Sequence, residues 1–470
     1  MSDSNKSTKI KAVIGIVAIV VIFGLSFMNG GTNGPMIGGI RSEFLLFALT
    51  LLGVALLHER TLEVALTGLA SVIVMKLLFV SEFNIVHQLH HEMMTLINLF
   101  GLLVGFAILA KHFENSNIPE MLPKYLPMGW KGGLLLLIMV FVISSFLDNI
   151  AAAMIGGTIA LTVFKKNVHI GYIAAIVAAS NAGGAGSVVG DTTTTMMWID
   201  GVNWHDVTHA YFAAVPALFI CGIIAAIQQD KLQPLSKASE DKIEIKWIKI
   251  LITFLILAGA IITNVYLDLP AAGVWIAIVI GALITKTPWD EIPKCLKGTF
   301  FLLSLVMCAS MMPVNELPPA SVYSAFGLGF VSAVFDNIPL TKLALTQGGY
   351  DWGVLAFSVG FGGSMIWFGS SAGVAISNTF PQAKSVGSWL KSGWHVTLAY
   401  IVGFYIMFAI GGWNPHAPHK KEKHSNHEKI EASSDNKVDK MPVVTEPKKS
   451  EEGKSSTTET TPTSAEPSKP

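Results

Sequence analysis

Two aspartates stand inside apolar segments of the sequence, where a charged side chain is costly. Asp148 lies in "SSFLDNIAAA" and Asp336 in "SAVFDNIPLT", and in both a Ser comes four residues earlier and Asn-Ile follows. A carboxylate at the centre of a bilayer costs roughly 2.5–3.5 kcal/mol on insertion scales, unless it faces water, is paired or is neutral. Asp also caps helices, but Ser or Asn would do so at lower cost. Each turn therefore predicts a position that binds a cation or a proton.

A glycine-interrupted apolar segment follows each of these turns. It reads "NAGGAGSVVGDTTTT" in the first half and "GFGGSMIWFGSSAG" in the second, with Asp191 and Thr192 opposite Ser370 and Ser371. One Gly pair would be explained by close helix packing. Two sets with equal spacing, each after an Asp-Asn, instead predict two broken helices that meet at a midplane binding site. The predicted helix-break glycines are Gly183, Gly184, Gly190, Gly362, Gly363 and Gly369.

The oxygen-bearing residues of these motifs suit a small hard cation, which prefers oxygen ligands. Burial favours the protonated form of a carboxyl group and a bound Na⁺ favours the ionised form, so the two ions compete for one carboxylate. Lys342 is the one basic candidate near a turn, and it either pairs with Asp336 or lies nearer the base of its hairpin. The predicted ion-binding residues are Asp148, Asn149, Asp191, Thr192, Asp336, Asn337, Ser370 and Ser371.

The composition of the chain indicates a membrane protein. Of its 470 residues 51% are hydrophobic and 14% charged, whereas a soluble domain has about 25% charged residues. The net charge of zero gives no reason to expect a nucleic-acid partner. The sequence contains no phosphate loop, nucleophile elbow or nucleotide fingerprint, so we expect neither an enzyme nor a cofactor. Without an ATP-binding module, an ion gradient is the expected energy source.

Two apolar segments, 132–147 and 150–164, are too short to cross a bilayer, which takes about 20 helical residues. They meet at Asp148, and Lys residues flank both ends, as in cytoplasmic loops. This arrangement predicts a re-entrant hairpin over 132–164, and the second motif predicts another over 325–346. Loop lysines elsewhere put the amino terminus in the cytoplasm and the carboxyl-terminal tail in the periplasm. The predicted fold class is an all-α polytopic membrane protein with about eleven transmembrane helices and two re-entrant helical hairpins in an inverted repeat.

The two ends of the chain differ from its centre. The first 30 residues resemble a signal peptide, but their apolar run exceeds the usual core of about 7–15 residues and no cleavage site is clear, which favours a retained span. The Lys-, Glu-, Ser-, Thr- and Pro-rich tail cannot bury enough apolar surface to order itself.

The predicted division is 1–30 (span or signal-like segment), 31–131 (scaffold helices), 132–227 (first transport repeat, broken helix 169–198), 228–313 (linker loop and scaffold helices), 314–412 (second transport repeat, broken helix 351–380) and 413–470 (disordered tail).

A histidine cluster in "VHQLHHEMM" is a weaker signal. His87, His90 and His91 stand at i, i+3 and i+4, which is one face of a short helix. This spacing occurs in zinc sites, and a partly exposed pH sensor is an alternative. Ordinary histidines on an interfacial amphipathic helix explain it as well. No metal site is predicted beyond this weak one.

The "DNI" turns together with "NAGGAGSVVGDTTTTMMWI" and "GFGGSMIWFGSSAG" resemble the ion transporter superfamily over about residues 43–412. The resemblance is closest to NhaD-type sodium/proton antiporters and to a branch labelled as citrate transporters. It implies a scaffold domain, two hairpins, two unwound helices and a homodimer. A bacterial inner membrane is the expected location.

The hairpin turns discriminate between these functions. In the carboxylate carriers of the superfamily the turns carry Ser-Asn-Thr, whereas this chain has Asp148-Asn149-Ile150 and Asp336-Asn337-Ile338. A turn aspartate would repel citrate unless a cation neutralised it. We therefore expect a secondary Na⁺(Li⁺)/H⁺ antiporter. The alternatives are a cation-coupled transporter of citrate or another small anion, and a structural or sensory protein on a transporter frame.

Overall fold

A computed structural model describes residues 2–29, 34–236 and 243–416 of the chain. The predicted tail lies outside the described residues from 417 onward, and so does 237–242 of the predicted linker loop. The described part is helical apart from one short antiparallel pair, β1 (Met36–Ile37) and β2 (Ile40–Arg41), in which Met36 lies opposite Arg41.

In the described residues, five α-helices precede the first hairpin. Their bounds are α1 (Ser2–Met28), α2 (Ser42–Leu56), α3 (Thr61–Phe79), α4 (Ile85–Glu114) and α5 (Ile118–Met121), with 3₁₀ turns at His58–Arg60 and Leu122–Tyr125.

The first turn motif and the segments after it form six helices. These are α6 (Trp130–Ser144), α7 (Asn149–Val163), α8 (Ile170–Ala185), α9 (Thr192–Ile199), α10 (Trp204–Thr208) and α11 (Tyr211–Leu232).

The rest of the described chain contains a linking group and a second set of short helices. The bounds are α12 (Trp247–Leu267), α13 (Pro270–Ile284), α14 (Glu291–Ser310), α15 (Val322–Ser332), α16 (Asn337–Gln347), α17 (Trp352–Gly362), α18 (Ser371–Thr379), α19 (Val386–Ser392) and α20 (Trp394–Gly411), with 3₁₀ turns at Val314–Glu316 and Pro381–Lys384.

Seven of the described helical segments are long and apolar enough to cross a membrane: most of α1, then α3, α4, α10 with α11, α12, α14 and α20. Because a bilayer core needs about 20 helical residues, this pattern is that of an all-α polytopic membrane protein. The prediction is confirmed at this level. The number of spans, the re-entrant course of the hairpins and the domain division stay predictions.

Two helices occupy the centre of the molecule. All of α17 is buried, and so is α8 from Gly171 to its end. Both are mostly apolar on all sides, which is typical of a fully buried helix. Each is followed by a non-helical stretch and a second, shorter helix, α9 or α18. The two glycine-interrupted segments therefore lie at the core and not at the lipid-facing surface.

The two sets of short helices pack in the same pattern. In the first set α6 contacts α7 and α8, and in the second α15 contacts α16 and α17. The two sets also contact each other: α9 of the first set packs on α16 of the second, and α18 of the second set packs on α7 of the first. A further group is built around α4, which contacts α12, α13 and α14. We call this group the scaffold helices below.

Candidate functional site

Both central helices are interrupted, and the interruptions end in equivalent caps. Asp191 accepts a hydrogen bond from Thr193 N (3.0 Å) and caps α9, while Ser370 accepts one from Gly373 N (3.2 Å) and caps α18. The sequence alignment put Asp191 opposite Ser370, and the two residues have the same position in their helices. Only the first half has a carboxylate at this position.

The hairpin turns are capped in the same way. Asp148 accepts from Ile150 N (3.1 Å) and caps α7, and Asp336 accepts from Ile338 N (3.0 Å) and caps α16. Ile338 N donates to Asp336 Oδ1, and the other oxygen, Oδ2, accepts from the Ser371 hydroxyl over 3.3 Å. Capping uses one oxygen of each carboxylate, so it is compatible with ion binding. Both carboxylates are half-buried.

The Ser four residues before each Asp ties the hairpin to a central helix. Ser144 Oγ donates to the Ser180 carbonyl over 2.6 Å, and Ser332 Oγ donates to the Val359 carbonyl over 2.7 Å. Both serines are buried. These hydrogen bonds hold each turn against the helix that precedes a break, and they explain why the Ser is part of both motifs.

A buried polar network joins the two halves. Asn149 Nδ2 donates to Asn181 Oδ1 (3.0 Å) and to Asp191 Oδ2 (3.1 Å). Asn181 Nδ2 in turn donates to Ser364 Oγ (2.9 Å) and Ser370 Oγ (3.2 Å). The predicted residues of the first turn and both breaks are thus brought together around one side chain, Asn181.

Sequence reasoning missed Asn181 and Ser364 as site residues. Asn181 is an amide residue in a mostly apolar helix, and this signal was present in the sequence. Asn337 differs from its counterpart Asn149: it is 2% exposed, and its Nδ2 has no hydrogen-bond partner among the described residues. The predicted site is therefore unequal in its two halves. Thr192 is buried beside Asp191.

The break glycines allow close backbone contacts. A Cβ on Gly184 would lie 2.6 Å from Gly190 O, and one on Gly363 would lie 2.7 Å from Gly369 O. A Cβ on Gly183 would collide with the backbone of α6, and one on Gly362 with that of α15. Larger residues at these positions would push each helix break away from the hairpin turn beside it. The glycines therefore allow the cap of each broken helix to lie close to the cap of the neighbouring hairpin.

A cavity of about 810 Å³ leads from the protein surface to two of the predicted carboxylates. Its inner end is formed by Asp148 and by Asp191 with Thr192, and its walls are the mostly apolar faces of α4, α7 and α14. Asp336 is not among the lining residues. The first half of the site is therefore reachable from one face of the molecule.

Charged residues surround the mouth of this cavity. Lys111 and Lys294 form ion pairs with Glu114 and Glu291, both at 2.8 Å. Lys294 also hydrogen-bonds to the exposed Asp290, which lowers the pKa of that carboxyl group. Each of the two lysines that line the mouth is thus paired with a neighbouring carboxylate.

The three aspartates of the site have no basic partner in the described part of the chain. Asp148 and Asp336 lie close enough to act electrostatically on Asp191, and none of the ion pairs among the described residues involves any of the three aspartates. Lys342 does not pair with Asp336: its Nζ lies 2.9 Å from Glu92 Oε2, one and a half turns along α16 from the hairpin turn. The alternative that it lies nearer the hairpin base agrees with this position.

The histidine cluster does not form a metal site. His87, His90 and His91 are exposed in the first turns of α4, which is one continuous helix of 30 residues and not a short helix before a span. No group of three or more His, Cys, Asp or Glu side chains in the described residues could hold a metal ion. The described residues thus give the weak zinc prediction no support.

No family model matches the chain. It is 26% identical over 329 residues to sodium/proton antiporter 1 of Arabidopsis thaliana, which covers 60% of this chain and 54% of the relative. It is 25% identical over 300 residues to the Na(+)/H(+) antiporter NhaD of Vibrio parahaemolyticus, 51% of this chain and 71% of the relative. The NhaD of Alkalimonas amylolytica is 25% identical over 292 residues, 50% of this chain and 60% of the relative.

The chain thus spans about half the length of the plant relative it matches. The resemblance to NhaD-type sodium/proton antiporters, inferred from the turn and break motifs, is confirmed by these relatives.

Proposed function

We propose that the chain exchanges Na⁺ or Li⁺ for H⁺ across a membrane, and that its aspartates bind the two ions competitively. The observation that carries this proposal is the group of Asp148, Asp191 and Asp336 without a basic partner in the described residues. A buried carboxylate without a cation next to it is costly, and a proton or a bound metal ion removes the cost. The names of the relatives agree with this exchange.

Na⁺ would reach the site through the cavity and take oxygen ligands at its inner end. Asp148 and Asp191 supply carboxylate oxygens there, and Thr192 supplies a hydroxyl. Asn149 and Asn181 hold Asp191 Oδ2 in place through their shared hydrogen bonds. Oxygen donors of these types are the ones that hard cations prefer.

The exchange follows from competition at the same oxygens. Protonation of Asp148 or Asp191 removes the charge that attracts Na⁺, and bound Na⁺ opposes protonation. The site then carries either a metal ion or protons when it turns toward the other side of the membrane. Coupling needs no further group.

The change of side is supported by the repeated architecture. Two sets of helices with the same packing and opposite orientation can exchange conformations, so that an access path on one face becomes a path on the other. We assign about eleven spans and two re-entrant hairpins to the chain, with a cytoplasmic amino terminus and a periplasmic tail. The hairpins and broken helices then move against the scaffold helices, and the cavity opens to the cytoplasm.

The test uses everted membrane vesicles with an imposed proton gradient. Na⁺ and Li⁺ should collapse the gradient, while citrate should not, and Asp148→Asn and Asp191→Asn should abolish the response. Asp351→Asn is the matched control, because Asp351 is a buried aspartate that caps α17 away from the site. Citrate uptake without cation-driven proton movement would reject the proposal in favour of anion transport.

A further inference from the structure

Glu92 and Lys342 form a buried ion pair between a scaffold helix and the second hairpin. Glu92 Oε2 lies 2.9 Å from Lys342 Nζ, and the side chains are 6% and 5% exposed. Glu92 belongs to α4 and Lys342 to α16, separated by 250 positions in the sequence. The pair therefore holds together two helix groups that the proposed transport cycle must move apart.

The groups facing this pair add to the attraction. Asp200, at the end of α9, also attracts Lys342 electrostatically, although Glu92 is the carboxylate that forms the ion pair. The other Glu92 oxygen lies 3.4 Å from Nδ1 of His91, an exposed side chain. Near the pair, Gln88 of α4 also donates to Ser310 at the end of α14 over 3.2 Å. The start of α4 and the ends of α9 and α14 thus meet at the middle of α16.

The equivalent place in the first hairpin is open. Asn149 and Asn337 occupy the same position in the two turns, so Lys342 corresponds to Met154. Met154 lines the cavity, between α7 and the scaffold helices α4 and α14. The scaffold helices therefore contact the second hairpin through an ion pair, whereas a cavity separates them from the first hairpin at the corresponding position.

We propose that Glu92 and Lys342 form the gate that closes the face opposite the cavity. This inference rests on the proposed alternating exchange. When the two repeats exchange conformations, α16 takes the place that α7 has now, and the pair separates into a water-filled space. Removing one partner leaves an unpaired buried charge in the closed gate, which favours the separated state. The pair accordingly stabilises the conformation in which the cavity is open.

The test measures how often the cavity is open, by labelling Met154→Cys with a membrane-impermeant maleimide from the cavity side. Lys342→Met and Glu92→Gln should each slow this labelling by about threefold or more, because the population moves to the other conformation. The charge swap Glu92→Lys with Lys342→Glu should restore the rate. The background carries Cys221→Ala, Cys295→Ser and Cys308→Ala.

Glu43→Gln is the matched control, since Glu43 is a buried partner of Arg41 (2.7 Å) and lies outside the second hairpin. Unchanged labelling in folded Lys342→Met and Glu92→Gln proteins, or equal slowing by Glu43→Gln, would overturn the gate. The readout does not depend on which ion is carried. A failure of Na⁺/H⁺ exchange would therefore leave the labelling result interpretable.

A second measurement tests the gate if the Lys342→Met or Glu92→Gln protein does not fold. Glu92→Cys and Lys342→Cys, joined by a short bis-maleimide, should fix the gate shut. Ion exchange should then stop, while position 154 stays open to labelling from the cavity side. Continued exchange by the cross-linked protein would contradict the proposal.

Discussion

Asn181 donates a hydrogen bond to Ser370 Oγ over 3.2 Å, so the first broken helix is tied to the cap of the second. The side-chain oxygen of Asn181, Oδ1, accepts a hydrogen bond from Asn149, beside the first hairpin turn. One amide therefore connects a turn and the two breaks. The half of the candidate site with two carboxylates and the half with one are linked through this side chain.

Asn181→Ala should weaken both folding and exchange. The substitution leaves the buried Ser364 and Ser370 hydroxyls and one Asn149 amide hydrogen without their partner, which costs about 1–3 kcal/mol of unfolding free energy. We expect a lower melting temperature in detergent and a higher apparent KM for Na⁺. Asn378→Ala, at an exposed position of α18, should change neither value. A wild-type KM in the Asn181 variant would show that the network does not position the site.

Gly183→Ala should be much more harmful than Gly327→Ala. The new methyl group would collide with the Phe141 carbonyl oxygen, which is backbone and cannot move aside, and overpacking of this kind costs about 1–3 kcal/mol or more. A Cβ on Gly327 in α15 meets nothing within 4 Å. The Gly327→Ala substitution should therefore be neutral or stabilise α15 by about 0.5–1 kcal/mol. Thermal melts of both variants compare the two directly, and equal melting temperatures would contradict the close approach.

Na⁺ affinity should fall as the pH on the cavity side falls. A proton on Asp148 or Asp191 removes the charge that binds Na⁺, so the apparent KM should rise by about tenfold per pH unit where one proton competes. Asp191→Glu should keep this dependence, because it retains the carboxyl group. The measurement is the initial exchange rate against Na⁺ concentration at several pH values. A KM that does not change with pH would rule out competition at one site.

Cys295 should be the cysteine that reagents reach. It lines the cavity and is partly exposed, whereas Cys221 and Cys308 are buried. An impermeant maleimide should therefore label the wild-type protein from the side to which the cavity opens, and Cys295→Ser should remove the label. In vesicles of known orientation this experiment also reports the sidedness of the chain. Labelling from the periplasmic side would reverse the proposed topology.

The hairpin turns and helix breaks could be predicted from the sequence because their residues start or end a helix at their own position. Asp148 and Asp336 begin helices, and paired glycines mark where α8 and α17 end. Such features depend on neighbouring residues and can be read from one segment at a time.

The partners of the polar residues could not be predicted in this way. Lys342 is 6 positions from Asp336 but binds Glu92, which lies 250 positions away. Asn181 contacts Ser364 and Ser370 for the same reason, since the packing of remote helices selects its neighbours. A buried charge takes the partner that the tertiary structure offers, and no local pattern specifies it.

The volume of the cavity bears on where the proposed exchanger would select its ion. At about 810 Å³ the cavity is far larger than a bare sodium ion, so under the proposed function an ion would travel inward with its hydration shell. It would lose that water only where carboxylate and hydroxyl oxygens replace it. Discrimination between Na⁺, Li⁺ and K⁺ would then depend on Asp148, Asp191 and Thr192, and not on the mostly apolar walls of the cavity.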